Sequence, residues 1–194
     1  MKKCIVTILI SLVVSFTVSA ELIKDGKFLE QSAYWKLDKG SEYKNIEPQF
    51  QKSFRIKTTQ KSERQYLMLG TVVQAKDGVA YRLNFSLRAK GKGDLWVALR
   101  TAWKKPKPVT KHKRESIGLI AKFSYQPQWQ NYEAYFISGK NPDLAIFNKK
   151  LFLLLGEFNG EVEFKDVSLK EIPSIPPEIK VGKNGHLAIV NMSI

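Results

Sequence analysis

The segment AWKKPKPVTKHKRES, residues 102–116, concentrates positive charge beside a tryptophan. Prolines at 106 and 108 oppose regular strand pairing, so residues 104–114 are predicted to form a projecting loop. Lysine is a hydrated point charge that attracts anionic groups without strict geometry. The segment could therefore contact nucleic acid, hold an acidic polymer or serve only solubility. The predicted electrostatic loop consists of Lys104, Lys105, Lys107, Lys111, Lys113 and Arg114.

Residues suited to catalysis are few in this chain. His112, in the basic segment, and His186, near the C-terminus, are the only histidines. No nucleophile motif and no metal-ligand spacing appears. The sequence therefore predicts a protein that is not an enzyme.

Alternating apolar and polar residues dominate the rest of the chain, and this pattern is typical of strands with one buried face. Turn signals such as KDG at 76–78 and NG at 159–160 separate the segments. No segment keeps a helical apolar period with caps at both ends. The pattern predicts an all-β, antiparallel β-sandwich, in the form of a jelly roll. The predicted strands lie in 53–59, 65–75, 79–90, 94–100, 131–137, 149–158 and 161–172.

The first twenty residues, MKKCIVTILISLVVSFTVSA, have the layout of a secretory signal peptide. Two lysines precede an apolar run, and Val18-Ser19-Ala20 is a small-residue cleavage site, so cleavage is predicted after Ala20. Cys4, the only cysteine, lies inside this leader. The mature chain is therefore predicted to be secreted or periplasmic, without disulfides, thiolate metal sites or a transmembrane segment.

A positive charge bias remains after the leader is removed. Loss of Lys2 and Lys3 lowers the formal net charge from +14 to +12. Such a bias favours anionic partners. Exported proteins meet polysaccharides and cell envelopes more often than nucleic acid, so nucleic acid is not the expected partner. The chain is expected to be a monomer.

Four segments, in this order and spacing, resemble carbohydrate-binding modules of the family 4/9/22 type. ELIKDGKFLEQSAYWKLDKG (21–40) resembles the opening of those modules, and YRLNFSLRAKGKGDLWVAL (81–99) resembles their central strand pair. WQNYEAYF (129–136) resembles their tryptophan-led strand, and GEVEFKDVSL (160–169) resembles their closing strand. The resemblance spans about residues 21–172. It implies a galactose-binding-like jelly roll that binds sugar.

The resemblance also suggests a domain organisation. Residues 1–20 are the predicted signal peptide, and 21–172 form the carbohydrate-binding-like domain. Residues 173–194 begin with the stiff sequence PSIPP and are predicted to be a proline-rich linker with a short C-terminal tail. That tail could be a terminal strand pair or the beginning of a longer segment.

A sugar presents flat C–H faces to aromatic rings and hydroxyls to planar polar side chains, so a site needs an aromatic anchor and a few polar groups. Trp96 and Arg100 are predicted to form such a site with Arg82, Asn84 and Arg88 from the neighbouring strand. The alternative is that a loop covers Trp96 and that solvent surrounds the arginines.

Other aromatic residues divide between the site and the core. Trp103, at the base of the basic loop, is a second candidate platform. Tyr132 and Tyr135 alternate across their strand, so only one can join the site, and Tyr135 is favoured. Trp35 and Trp129 match framework positions of the family and are expected in the core.

Modules of this family often hold a structural calcium ion near the first and last strands. Here Lys27 and Leu29 stand where acids are expected, and Lys165 neighbours Asp166, the remaining candidate ligand. A hard cation needs several oxygen ligands. The sequence therefore predicts no cofactor, and the alternative is a structural calcium ion held in part by Asp166.

Taken with the resemblance, the sequence predicts an exported, non-catalytic carbohydrate-binding module for an anionic or mixed polysaccharide. One alternative is a small polysaccharide lyase on a jelly roll, because Arg82, Arg88, His112 and Tyr135 could imitate the catalytic set of such enzymes. Another is an envelope or matrix protein that has kept the fold without binding sugar.

Overall fold

A computed structural model of the protein describes residues 20–30, 33–39, 48–58, 67–103, 116–141, 143, 147–179 and 189–192. No helix in these ranges is long and apolar enough to cross a membrane. The described residues form strands instead. These are β1 (Trp35–Lys39), β2 (Gln49–Phe50), β3 (Phe54–Thr58), β4 (Leu67–Val73), β5 (Ala80–Gly93), β6 (Leu95–Trp103), β7 (Ser116–Phe123), β8 (Gln130–Ile137), β9 (Phe147–Leu154), β10 (Phe158–Glu171) and β11 (Ile189–Met192).

The strands build two antiparallel sheets. The five-stranded sheet has the order β1-β4-β9-β6-β7, and the six-stranded sheet has the order β11-β8-β5-β10-β3-β2. One continuous cluster of buried apolar side chains draws on strands of both sheets. The predicted all-β, antiparallel sandwich is therefore confirmed.

Alternation along the strands explains the core. On β5, Tyr81, Leu83, Phe85 and Leu87 are buried, whereas the residues between them are mostly half-buried and face outward. The Phe85 ring lies 5.3 Å from that of Phe164 on β10, centre to centre. Burial of each such side chain stabilises the fold by about 1.5–3 kcal/mol.

The connection from β5 to β6 crosses from one sheet to the other. β5 pairs with β8 and β10, whereas β6 pairs with β7 and β9. Gly93, the last residue of β5, has a φ of +105°, and a Cβ there would lie 1.9 Å from the carbonyl oxygen of Glu157. Only glycine accepts both conditions. The prediction that the two segments are neighbours in one sheet is wrong, because this backbone turn redirects the chain.

The C-terminal segment contributes to the sandwich. Ile189–Met192 pairs antiparallel with β8 and forms one edge of the six-stranded sheet. Residues predicted to be a tail beyond residue 172 thus include a sheet strand. The single-residue bridge between Glu21 and Lys170 ties the N-terminal segment to β10 at the same sheet.

Candidate ligand-binding site

A pocket of about 410 Å³ opens on the outer face of the five-stranded sheet. This volume is in the range of small-ligand sites. Its lining is mainly apolar, with one indole ring, one guanidinium group and one carboxylate. The lining residues are Leu67, Met68, Trp96, Arg100, Ile120, Leu154, Gly156 and Glu157.

Strand alternation places the two predicted residues of this pocket. Leu95, Val97 and Leu99 of β6 are buried in the core, so Trp96 and Arg100 project from the opposite face. Both side chains are half-buried. The structure therefore brings together the tryptophan and the arginine of the predicted site.

The cross-strand neighbours of Trp96 give the pocket its walls. Trp96 lies opposite Leu154 on β9 and opposite Lys122 on β7. Directly opposed side chains on one sheet face are in contact range. The indole ring therefore stands between an apolar and a cationic side chain.

The polar groups of Trp96, Glu157 and Arg100 border the apolar part of the pocket. The Trp96 Nε1 donates a hydrogen bond of 3.3 Å to Glu157 Oε2. Arg100 Nη1 lies 3.9 Å from the sulfur of Met68. The ring edge is thus anchored, and a guanidinium and a carboxylate border the same space. Such an arrangement can stack a ring-shaped ligand and hydrogen-bond its hydroxyls.

A second apolar cluster extends from this pocket over the sheet. It consists of Met68, Ala102 and Phe152, with Leu154 packed against it. Gly70 makes room for it, because a Cβ at that position would lie 2.4 Å from Phe152 Cε1. The aromatic ring therefore lies directly over the β4 backbone. Sequence reasoning missed this cluster, although a glycine inside a strand signals close approach of another group.

The remaining predicted residues lie on the other side of the molecule. Arg82, Asn84 and Arg88 project from β5 on the outer face of the six-stranded sheet, and Arg82 is directly opposite Tyr135 of β8. The prediction that they share one contact face with Trp96 is therefore wrong. The physical reason is the crossover at Gly93, which puts β5 and β6 in different sheets.

Carboxylates pair with the arginines of that second face. Arg82 Nε lies 3.5 Å from a Glu133 oxygen. Arg88 donates two hydrogen bonds to Glu163 Oε2, 2.8 Å from Nε and 2.6 Å from Nη2. Burial and the nearby Glu133 carboxylate raise the pKa of Tyr135.

The tyrosines of β8 divide as predicted between the two sides of the sheet. Tyr132 is 2% exposed and stacks on Phe85 at 5.0 Å between ring centres, whereas Tyr135 is half-buried on the outer side. Burial raises the pKa of Tyr132 to about 12.

The two framework tryptophans differ. Trp35 is fully buried, as expected. Trp129 is not a core residue, because it is half-buried at the outer surface, with Arg88 Cζ 4.9 Å and Lys165 Nζ 4.4 Å from its ring centre. Its position immediately before β8, outside the alternation of that strand, was the available signal.

Several predicted residues fall outside the described part of the chain. Residues 104–115, which contain the whole electrostatic loop and His112, are among these, as is His186. Trp103 is the last residue of β6, where its backbone pairs with Phe147. The roles proposed for the loop and for the Trp103 side chain remain predictions.

Asp25 and Asp166 both have partners within the protein. The Asp25 carboxylate accepts backbone N–H bonds from Leu29 at 2.6 Å and from Glu30 at 2.9 Å. Asp166 lies 3.5 Å from the Lys165 ammonium. Within the described ranges, no three histidine, cysteine, aspartate or glutamate side chains cluster as metal ligands.

Comparisons with solved structures bear on the fold. The chain aligns with a CBM4 carbohydrate-binding module at a TM-score of 0.55 and 12% identity, over 75% of this chain and 99% of that one. It aligns with the second N-terminal cellulose-binding domain of Cellulomonas fimi β-1,4-glucanase C at a TM-score of 0.53 and 19% identity, over 82% and 99%.

The chain is also similar in structure to part of an enzyme. The chain aligns with arabinose-bound MgGH51 α-L-arabinofuranosidase at a TM-score of 0.53 and 13% identity, over 79% of this chain but only 26% of the enzyme. No protein-family model matches the chain, and no curated protein matches its sequence. At these identities, structural likeness establishes fold alone. The chain has the jelly-roll β-sandwich fold that carbohydrate-binding modules share.

Proposed function

We propose that this protein is an exported, non-catalytic polysaccharide-binding module, and that its ligand occupies the Trp96 pocket. The observation that carries this proposal is the grouping of Trp96, Arg100 and Glu157 around one apolar pocket on an outer sheet face. An aromatic wall with few polar groups suits a sugar ring, which is apolar on its faces and polar at its edge. Cellulose binding by a domain of the same fold agrees with it.

The charges around the pocket support an acidic or mixed polysaccharide as the ligand. Arg100 lines the pocket, Lys122 lies opposite Trp96, and Lys150 lies opposite Arg100. Glu157 is the carboxylate at the same pocket. Lys122 pairs with Asp94 at 2.6 Å, so the surroundings of the pocket hold three cations and two carboxylates. The excess of one positive charge gives a polymer carrying carboxylate or sulfate groups attraction in addition to stacking.

A purely binding role is proposed over lyase activity because carboxylates already engage the arginines that a lyase would need. Arg82 is paired with Glu133, and Arg88 with Glu163. Neutralising a substrate carboxylate requires cations that are available to it. These two arginines also lie on the opposite side of the sandwich from the Trp96 pocket.

Affinity electrophoresis of the purified protein through gels containing neutral or acidic polysaccharide tests the proposal, at low salt and at 1 M salt. Stacking survives 1 M salt, where the Debye length is about 3 Å. Trp96→Ala is expected to lower the affinity about tenfold or more, equivalent to about 1.4 kcal/mol. Tyr34→Ala, an exposed aromatic residue elsewhere, is the matched control and should bind as the wild type does.

Two results would overturn the proposal. Unchanged retardation of Trp96→Ala by every polysaccharide would remove the pocket as the binding site. New ultraviolet absorbance from unsaturated sugar products would show that the protein cleaves its ligand and would favour the lyase.

A further inference from the structure

The outer face of the six-stranded sheet carries ordered rows of charge. β10 contributes glutamates to the middle of two rows, and β3 and β5 contribute a cation on each side. Directly opposed side chains in such rows lie within about 4.5–5.5 Å at their Cβ atoms. The rows are Lys57–Glu161–Lys90 and Arg55–Glu163–Arg88.

The pairing inside these rows leaves positive charge over. Arg55 bonds to Glu161, and Arg88 bonds to Glu163. Lys57 and Lys90 are exposed, and neither has a carboxylate within 4.0 Å among the described residues. Four cations therefore surround two carboxylates, and the two lysines project into solvent with their charge uncompensated.

Trp129 lies next to Arg88, at the end of the second row. Its ring holds Arg88 and Lys165 within 5 Å of one centre, 4.9 Å to Cζ and 4.4 Å to Nζ. Cation–π contacts of this kind are worth about 0.5–1 kcal/mol at exposed sites. Each of these cations also pairs with a carboxylate, Arg88 with Glu163 and Lys165 with Asp166 at 3.5 Å, so the ring and the carboxylates together position them. We call Arg55, Lys57, Arg88, Lys90, Lys165 and Trp129 the cationic face.

Neutral hydrogen-bonding groups lie beside these cations. Ser86 lies directly opposite Asn131 on β8 and opposite Lys165 on β10, and its hydroxyl donates to Asn131 Oδ1 at 2.7 Å. One hollow of about 220 Å³ is lined by Asn84, Ser86 and Asn131, and also by the carboxylates of Glu133 and Asp166. A second of about 220 Å³ lies over the charged rows.

We propose that the cationic face is a second binding surface, distinct from the Trp96 pocket, and that it takes a carboxylated or sulfated polysaccharide. Asn131, which is exposed beside these cations, offers a hydrogen-bonding group to the hydroxyls of such a polymer. The choice of a polysaccharide rests on the proposed function, whereas the anionic character of the partner rests on the charge rows alone.

Other polyanions fit this surface less well. Among the described residues, the exposed large apolar side chains are Leu29, Tyr34, Val72 and Ile137, and only Ile137 belongs to the six-stranded sheet. That is too little apolar surface to enter a lipid bilayer. Two cations already contact the Trp129 ring, which limits the stacking of bases that single-stranded nucleic acid requires.

The positions of the two surfaces have a consequence for binding. The Trp96 pocket and the cationic face lie on the outer sides of different sheets, and packed sheets are about 10 Å apart. One short segment of polymer cannot reach both. The two surfaces therefore bind separate polymer segments, and the protein can link two acidic polysaccharide chains.

The test uses the purified protein with polygalacturonate and dextran sulfate as probes, and with unmodified dextran as the neutral probe. Lys57→Gln/Lys90→Gln removes two charges from the cationic face. Lys24→Gln/Lys27→Gln removes the same charge from exposed positions near the N-terminus and is the matched control. Both pairs are placed in the Trp96→Ala background, so that only the second surface is measured.

The face variant is expected to weaken polyanion binding about tenfold at 0.1 M salt, and the control less than twofold. Trp129→Leu should also weaken it, because the two cations lose their common contact. Equal weakening by the two lysine pairs would overturn the proposal and leave only attraction to the overall charge. Tighter binding to vesicles with 30% phosphatidylglycerol, or to a single-stranded oligonucleotide, would overturn the choice of partner.

Light scattering tests separately whether one protein molecule links two polymer chains. Wild-type protein should raise the light scattering of dilute polygalacturonate. Trp96→Ala alone, and Lys57→Gln/Lys90→Gln in the otherwise wild-type chain, should each abolish the increase. If Trp96→Ala leaves both binding and scattering unchanged, the Trp96 site fails, while the face variant still decides the second surface. Scattering that persists in both single variants would overturn bivalency.

Discussion

Lys149 Nζ lies 2.6 Å from Asp77 Oδ1, although the lysine side chain is only 4% exposed. The same ammonium donates to Ser138 Oγ at 2.6 Å and to the Gly139 carbonyl at 2.9 Å. One buried charge thus ties β9 to the residues after β8 and to the turn before β5. A buried lysine is stable only when partners satisfy its donors, and these three do so.

Replacement of Lys149 by methionine should destabilise the protein by about 2–3 kcal/mol, because buried acceptors lose their donor. Asp77 is 41% exposed, so water compensates part of its loss, and the cost stays below the full value for a buried pair. Lys150→Met, on the opposite side of the same strand, should change stability by less than about 0.5 kcal/mol. Urea denaturation measures both variants, and equal stability of the two would show that the buried contacts contribute nothing.

Asp77 makes part of this contact dependent on pH. The hydrogen bond from Lys149 lowers the pKa of Asp77 below its ordinary value of 3.8, against the opposing effect of burial. A lowered pKa means that the stabilisation is complete above pH 3.8 and is lost as the pH falls through the folded value. Asp77→Asn should therefore melt below the wild type at pH 7, and the difference should shrink below pH 4. A melting difference that is constant from pH 7 to pH 2.5 would contradict this.

Gly70→Ala tests the apolar cluster of Met68, Ala102 and Phe152 beside the Trp96 pocket. Its new Cβ would lie 2.4 Å from Phe152 Cε1, so the ring must move. Overpacking of this kind costs about 1–3 kcal/mol. Combining it with Phe152→Leu should cost less than the sum of the single changes, because the smaller side chain relieves the clash. Additive losses in denaturant titrations would mean that the two residues do not interact.

The fold is expected to stand without calcium. Backbone N–H groups of Leu29 and Glu30 already bind the Asp25 carboxylate, and Lys165 lies beside Asp166. We therefore propose that neither aspartate serves as a calcium ligand. Melting temperatures in 5 mM EDTA and in 5 mM calcium chloride should agree within about 1 °C. A ligand at one hundred times its Kd would add about 2.7 kcal/mol, so a large rise with calcium would refute the proposal.

The sequence predicted the sandwich because burial alternates along most of the strands, as in β3, β5 and β8. Leu83 and Arg82 had to face opposite sides, as did Val97 and Trp96, and the structure agrees. Alternation carries no information about which strands pair. The crossover at Gly93 depends on one positive φ and one close contact with Glu157, both of which are tertiary features.

The lack of information about strand pairing and about residues outside the strands also explains the misassigned residues. Trp129 lies just before its strand, where no period decides the direction of a side chain, and its contacts come from β5 and β10. Pairing of 189–192 with β8 joins segments that are far apart in the sequence. Trp96 and Arg100 could be assigned together because a single strand carries both.

The crossover at Gly93 also bears on how the molecule would withstand pulling. β5 carries Arg88 and Lys90 of one surface, and β6 carries Trp96 and Arg100 of the other, with Gly93 and Asp94 between them. Tension between two bound polymers would pass along this short covalent backbone. The tension would not have to be transmitted through the apolar contact between the two sheets. The mechanical link between the two surfaces is therefore the covalent peptide chain.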